Sequence, residues 1–259
     1  MLRAPNFWYE KNDTLFSRML YPASLFYRLL TKFYVLINKT KYSKIPVICI
    51  GNLVVGGAGK TPVALKICKI LNLAGYNPHF ITRGYSGNIK NNIKVENYHN
   101  SADVGDESII LSEIATTWIG SNRIKSSILA LKDNADCIIM DDGFQNPSIH
   151  KNFSIIVIDG KQGFGNRRVL PSGPLRESIK RGLNRANAVI IVGEDKFNIR
   201  KFIPSTLPIF LSKFDVSKNK EIFRGKNITV FAGIAYPIKF FDTLKNQGAK
   251  ILKKITFPD

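Results

Sequence analysis

GNLVVGGAGKTP, residues 51–62, joins an apolar β-branched run, IPVICIGNL (residues 45–53), to a stretch with helical periodicity. A strand buried on both faces reads as such a continuous run. After it, Lys60 opens a helix that tolerates Pro62 in its first turn and repeats Val63, Ile67, Ile70, Leu71 and Ala74 on one face, with Gly75 as its stop. A strand, a glycine-rich turn and a helix in that order form the setting of a phosphate-binding loop. Gly56, Gly57, Ala58 and Gly59 let backbone N–H groups turn inward on phosphate oxygens. Lys60 reaches the β- and γ-phosphates, and the Thr61 hydroxyl holds Mg²⁺. The expected ligands are therefore the phosphates of a nucleotide and Mg²⁺. Val54 occupies the first glycine position of the strict pattern.

Working outward, PHFIT (78–82), TTWIG (116–120), ADCIIM (135–140), FSIIVID (153–159) and ANAVIIV (186–192) read as further strands, with helical patterns over 107–115 and 122–132. Alternation of this kind predicts an α/β chain of phosphate-loop type, doubly wound on a mostly parallel sheet. This core covers residues 44–212. Residues 213–223 form a Lys/Asn-rich linker, and residues 224–259 begin a partial second, smaller α/β domain.

Residues 1–43 form a separate segment. LFSRMLYPASLFYRLLTKFYVLI (15–37) is apolar, but Arg18, Arg28 and Lys32 interrupt it and Pro22 kinks it. Leu15, Met19, Pro22, Phe26, Leu29, Phe33 and Leu36 share one helical face, with Phe7, Trp8, Tyr9, Tyr21, Tyr27 and Tyr34 around it. The pattern suits an amphipathic helix lying in an anionic membrane surface, the other reading being a helix hairpin packed on the protein's own core.

The 259 residues carry 38 Lys and Arg against 19 Asp and Glu, a net charge of +19. So basic a chain seeks an anionic partner: nucleic acid, membrane or phosphorylated small molecules. At 44% hydrophobic residues it folds rather than staying disordered, and three cysteines in apolar runs exclude a disulfide framework.

Three more segments carry chemistry. CIIMDDGFQN (137–146) ends a strand in Asp141 and Asp142, either a turn or the acidic group of a magnesium site. In SADVGDESIILSEIA (101–115), Asp103 or Asp106 would cap a helix. GFGNRRVLPSGPLRESIKRG (163–182) is a Gly/Pro-punctuated basic loop, suited to gripping phosphates through arginine forks or simply to lying solvated.

In order along the chain, NFWY, GNLVVGGAGKTP, TRGYSG (82–87), DVGDES, DDGFQ, GFGNRRVLPSGPLRES and AGIAYPIKFF together resemble the bacterial tetraacyldisaccharide 4'-kinases, the lipid A 4'-kinases. The resemblance implies a peripheral enzyme on the cytoplasmic face of the inner membrane, with no nucleic acid and no obligate protein partner. It implies transfer of the γ-phosphoryl of ATP to the 4'-hydroxyl of an acylated glucosamine disaccharide 1-phosphate. In that reading Asp106 is the base or orienter of the hydroxyl, and Glu107 joins Thr61, Asp141 and Asp142 around magnesium. Lys60 is also catalytic, and Arg176 neutralises charge on the transferring phosphoryl or on the lipid phosphate. The family pattern has Ser or Thr at Val54, His at Asn146 and Asp at Asn152. It also continues past Phe257-Pro258-Asp259 with a histidine that pairs with the catalytic aspartate. A chain ending there is expected to be a truncated product with a weakened site, and His79, His99 and His150 lie in other contexts. The rival classes are a partition-type, nucleotide-switched ATPase, which leaves DDGFQ and LPSGPLRES without a role, and an inactive kinase.

Overall fold

A computed structural model gives the fold and describes residues 4–10, 14–214, 220–233 and 237–257. The apolar runs become strands β1 (Val47–Gly51), β2 (Pro78–Thr82), β3 (Ile93–Lys94), β4 (Thr117–Ile119) and β5 (Cys137–Asp141), followed by β6 (Phe153–Asp159), β7 (Ala188–Val192) and β8 (Ile209–Ser212). They form one sheet in the order β3-β4-β2-β5-β1-β6-β7-β8, parallel throughout except for the antiparallel β3–β4 pair. β1 lies between β5 and β6. From β1 the chain runs to β2 on one side in the strand order, and from β5 it crosses to β6 on the other. The crevice of such a switch point is where α/β sheets bind ligands.

The connecting helices are α3 (Lys60–Leu73), α4 (Ser101–Val104), α5 (Asp106–Ser112), α6 (Arg123–Lys132) and α7 (Ile179–Leu183), preceded by α1 (Leu15–Met19) and α2 (Tyr21–Ile37). On one sheet face Val47, Cys49, Ile138, Met140, Ile156, Ile158, Val189 and Ile191 pack together with Phe144 and Leu175; on the other, Ile50, Phe80, Ile139, Ile155 and Val157 pack on Val63, Ala64 and Cys68 of α3. α3 ends as expected, with Gly75 at φ +87. The three cysteines are buried and free.

The expected single helix over 15–37 is two helices that meet at Leu20. Thr14 caps the first by accepting from the Ser17 N–H at 3.2 Å, and Pro22 sits in the first turn of the second, where its missing N–H costs nothing. The expected stripe does not pack inward. Leu15, Met19, Phe26, Leu29, Phe33 and Leu36 are between 62% and 79% exposed, and the face turned to the protein carries the buried Ser17 and Ser24 instead. Among the described residues no helix is long and apolar enough to cross a membrane.

Toward the C-terminus α8 (Lys220–Phe223) leads to β9 (Asn227–Ala232), α9 (Pro237–Asn246) and β10 (Lys250–Thr256). β9 and β10 pair in parallel around their own small core of Val230, Ala232, Phe241, Leu244 and Ala249, the βαβ unit expected there. Part of the expected linker falls on 215–219, outside the described residues.

Candidate active site

The loop after β1 is open where phosphates would enter. Gly56 has φ +112, and a Cβ built on Gly56 or Gly57 meets no atom within 4 Å. Gly59 turns through φ +86 to start α3, and no side chain caps that N-terminus. Among the described residues no backbone partner takes the N–H groups of residues 56–59, and at the positive end of a 14-residue helix they form an anion cradle. Ala58 is buried beneath it, and Asn52 ties the loop back by donating from Nδ2 to the Gly56 carbonyl at 3.3 Å.

β5 delivers the two aspartates beside this loop, because its register with β1 sets Asp141 opposite Ile50. Asp141 is 1% exposed; its Oδ2 accepts from the Thr61 hydroxyl at 3.1 Å, and its Oδ1 has no partner among the described residues. Burial, and after it the charge of Glu107, push this carboxyl up to about 7. A buried carboxylate oxygen left without a donor, next to a hydroxyl and facing a phosphate cradle, fits a hard cation. Among the described residues no three His, Cys, Asp or Glu side chains cluster to hold a metal by themselves. That donor set suits magnesium, which takes one or two carboxylates and completes its shell with water and phosphate oxygens.

Asp142, expected with Asp141 around magnesium, is paired with two cations. Held at φ +49 in the turn, it accepts a fork from Arg176, Nη1 to Oδ1 at 2.8 Å and Nη2 to Oδ2 at 3.2 Å, and Lys60 Nζ lies 3.7 Å from Oδ1. Burial pushes its carboxyl up, but Lys60 and Arg176 together outweigh it and hold the group below the usual carboxylate range. Arg176, expected to face phosphate, is therefore gathered with Lys60 on one carboxylate. The basic loop is also less open than its composition suggested, since Arg185 and Arg181 both pair with Glu177.

Asp106 and Glu107 head α5, exposed on its first turn, with Asp106 Oδ1 accepting from the Glu107 N–H at 2.9 Å. Glu107 is near enough for its charge to act on Asp141. Asp103 plays the capping role, but for α4, in a reciprocal box with Asn100. Gly105 links the two helices at φ +86, and a Cβ there would lie 2.2 Å from the Tyr85 carbonyl oxygen, so TRGYSG and DVGDES are locked together.

Sequence reading passed over several members of the site. Gln145 donates to the Asn52 carbonyl at 2.9 Å and accepts from Arg176 at 3.2 Å, bridging the phosphate loop to the basic loop. Its presence inside DDGFQ was the available signal. Arg123, 3% exposed, donates to the carbonyls of Thr82 and Gly120 below the site; burial lowers its pKa to about 10. Nothing in NRIKSS distinguishes it from a surface helix start. Beside the N-terminal segment, a cavity of ≈ 420 Å³ is lined by Tyr9, Phe164, Arg167, Arg168, Phe197 and Phe202, among others.

Residues 16–259 match the model of a protein family described as tetraacyldisaccharide-1-P 4'-kinase. A tetraacyldisaccharide 4'-kinase of Gluconobacter oxydans is 40% identical over 258 residues, covering 99% of this chain and 79% of that protein. One of Rhodospirillum rubrum is 41% identical over 263 residues, covering 100% and 79%. The crystal structure of LpxK from Aquifex aeolicus in complex with ATP superposes with a TM-score of 0.77 at 26% identity, over 95% of this chain and 82% of that one.

Proposed function

The chain belongs to the tetraacyldisaccharide-1-P 4'-kinase family, and from that premise we propose how its own residues carry out the transfer. It is an ATP-dependent kinase of lipid A biosynthesis whose acceptor is the 4'-hydroxyl of a tetraacyl disaccharide 1-phosphate. The observation that carries the assignment of roles is the open glycine cradle running into Lys60, with the Thr61–Asp141 pair and its unpartnered Oδ1 alongside.

Gly56, Gly57, Ala58 and Gly59 hold the β- and γ-phosphates of ATP through backbone N–H groups, and Lys60 reaches the γ-phosphate. Thr61 and Asp141 are the residues that would hold magnesium, with Glu107 close by. The ion, when bound, neutralises charge on the β- and γ-oxygens. Asp142 keeps Lys60 and Arg176 side by side, so both cations are oriented before phosphate arrives. A pre-set pair of this kind stabilises the spreading charge of phosphoryl transfer without reorganising at the moment of reaction. Asp106, exposed at the head of α5, takes or orients the proton of the attacking hydroxyl.

The acceptor's acyl chains stay in a bilayer, so the enzyme works at its surface. The exposed stripe of α1 and α2 supports contact with the anionic inner membrane from the cytoplasmic face. The net charge of +19 draws the protein to the same surface and to the lipid's phosphate. No nucleic acid or obligate protein partner is needed in this reading.

Transfer of labelled γ-phosphate from Mg-ATP to tetraacyl disaccharide 1-phosphate in mixed micelles tests the assignment. The chain should label the lipid, and Lys60→Ala should reduce the rate by at least ~100-fold. Equal labelling by the two proteins would refute the role of the phosphate loop.

A further inference from the structure

Ser17 and Ser24 are the only buried residues of α1 and α2, at 0% and 2% exposure, and both spend their hydroxyls on one short piece of the basic loop. Ser17 Oγ donates to the Ser172 carbonyl at 2.7 Å, and Ser172 Oγ donates back to the Ser17 carbonyl at 2.6 Å. Ser24 Oγ donates to the Val169 carbonyl at 2.8 Å and accepts from the Ser172 N–H at 3.1 Å. Asn166 gathers the rest. Its Nδ2 lies 2.9 Å from the Ser172 carbonyl, 3.2 Å from Ser17 Oγ and 3.4 Å from the Phe7 carbonyl, while its backbone N–H donates to Trp8 at 2.7 Å. Trp8 Nε1 closes the set on the Pro171 carbonyl at 3.0 Å.

Side chains have no slack here. A Cβ on Gly173 would fall 2.1 Å from Asn166 Oδ1, and one on Gly165 would fall 2.5 Å from the Trp8 carbonyl oxygen. Two and four residues beyond Ser172, the same loop runs along residues 53–55, which lead from β1 into the phosphate cradle. The Val55 N–H donates to the Pro174 carbonyl and the Arg176 N–H to the Leu53 carbonyl, each at 2.8 Å. Arg176 then forks onto Asp142. Tyr27 of α2 is also near enough to Arg176 and Glu177 for their charges to act on its hydroxyl.

If these helices served the bilayer alone, an apolar seam would attach them at least as well. A buried set of polar bonds fixes position and register, because each bond is costly to break and tolerates little displacement. We propose that Asn166, with Ser17, Ser24 and Ser172, forms a positioning cluster through which the two N-terminal helices hold the loop of Arg176 in its reacting geometry. The inference rests on the role given to Arg176 above. The helices then set the phosphoryl-transfer geometry in addition to meeting the membrane.

The test is a double-mutant cycle in the full chain, read as kcat per folded molecule in neutral-detergent micelles. Asn166→Asp keeps the side chain's shape and replaces its donors with acceptors facing two carbonyls. It should lower kcat by ~10-fold or more, with ATP affinity and co-sedimentation with anionic vesicles held near wild type. In an Arg176→Ala background the same change should cost less than ~2-fold, since coupled residues are not additive. Ser24→Ala, which removes one hydroxyl, reads the same cycle if Asn166→Asp does not fold. A fall in kcat that is undiminished without Arg176, or a fall that tracks lost vesicle binding, would overturn the cluster's role while leaving the kinase assignment intact. An Arg176→Ala enzyme of full kcat would overturn both the role of Arg176 and this inference.

Discussion

Asp141 is expensive for the fold and useful to the site. Its carboxyl is 1% exposed and pushed up to about 7 by burial first and Glu107 second, from an ordinary value of 3.8. The sign follows from linkage. A group whose folded pKa is raised contributes its full stability below the unfolded pKa and loses it as pH rises toward the folded one. Above pH ~7 the nucleotide-free protein therefore carries a buried charge at a cost on the order of a few kcal/mol. Asp141→Asn should raise the thermal midpoint at pH 8, change it little at pH 4, and cut magnesium-dependent transfer by ~100-fold or more. Scanning calorimetry at the two pH values with a parallel rate assay checks this; a lower midpoint at pH 8 would contradict the burial account. Lys60, Thr61 and Asp141 were legible at this scale because motif and context both marked them. Asn52 and Arg123 were not. Their partners are carbonyls of residues distant in sequence or in a loop whose path only the fold sets, and no local pattern records such a bond.

Elements carry the next two expectations. Gly105 turns the chain from α4 into α5 at φ +86 against the Tyr85 carbonyl, so Gly105→Ala meets both a forbidden backbone region and a clash. It should destabilise by about 1–3 kcal/mol. It should also lower kcat, because Asp106 and Glu107 ride on the helix it starts; an unchanged melting curve would exclude the strain. Phe33 on α2 is different, being 62% exposed. Phe33→Glu should leave stability within about 0.5 kcal/mol while weakening co-sedimentation with anionic vesicles, and retained binding would remove the stripe from the membrane reading. The interior strands were legible because they are buried on both faces and read as largely apolar runs, with few polar residues such as His79 and Ser154 inside them. β3 was missed since it has two residues, and β8 since the apolar Ile209, Phe210 and Leu211 are a short run on a largely exposed edge. The break at Leu20 was foreshadowed by Pro22, but its position was not: Ser17 and Ser24 tie α1 and α2 separately to the Ser172 segment, a constraint from 150 residues away that periodicity does not contain.

At the scale of the whole molecule the chain divides by how its cores are built. The eight-stranded sheet has apolar layers on both faces, and the phosphate loop, the aspartates and the basic loop all meet at the carboxyl ends of its central strands. β9, α9 and β10 share a core of five buried residues, while Phe231, Leu252 and Phe257 lie exposed around them. Two strands under one helix, as described over residues 220–233 and 237–257, bury too little apolar surface to be stable alone. The two cores thus belong to two regions that should open with different free energies. Native-state hydrogen exchange should show amides of β9 and β10 exchanging through local opening, at least ~100-fold faster than those of β1 and β5, which should need global unfolding. The same experiment with Mg-ATP should slow exchange in β1 and β5, because a ligand that binds only the folded state raises their opening free energy. Equal protection of the two regions without nucleotide would mean that the small unit draws stability from the large one, and that the chain unfolds as a single body.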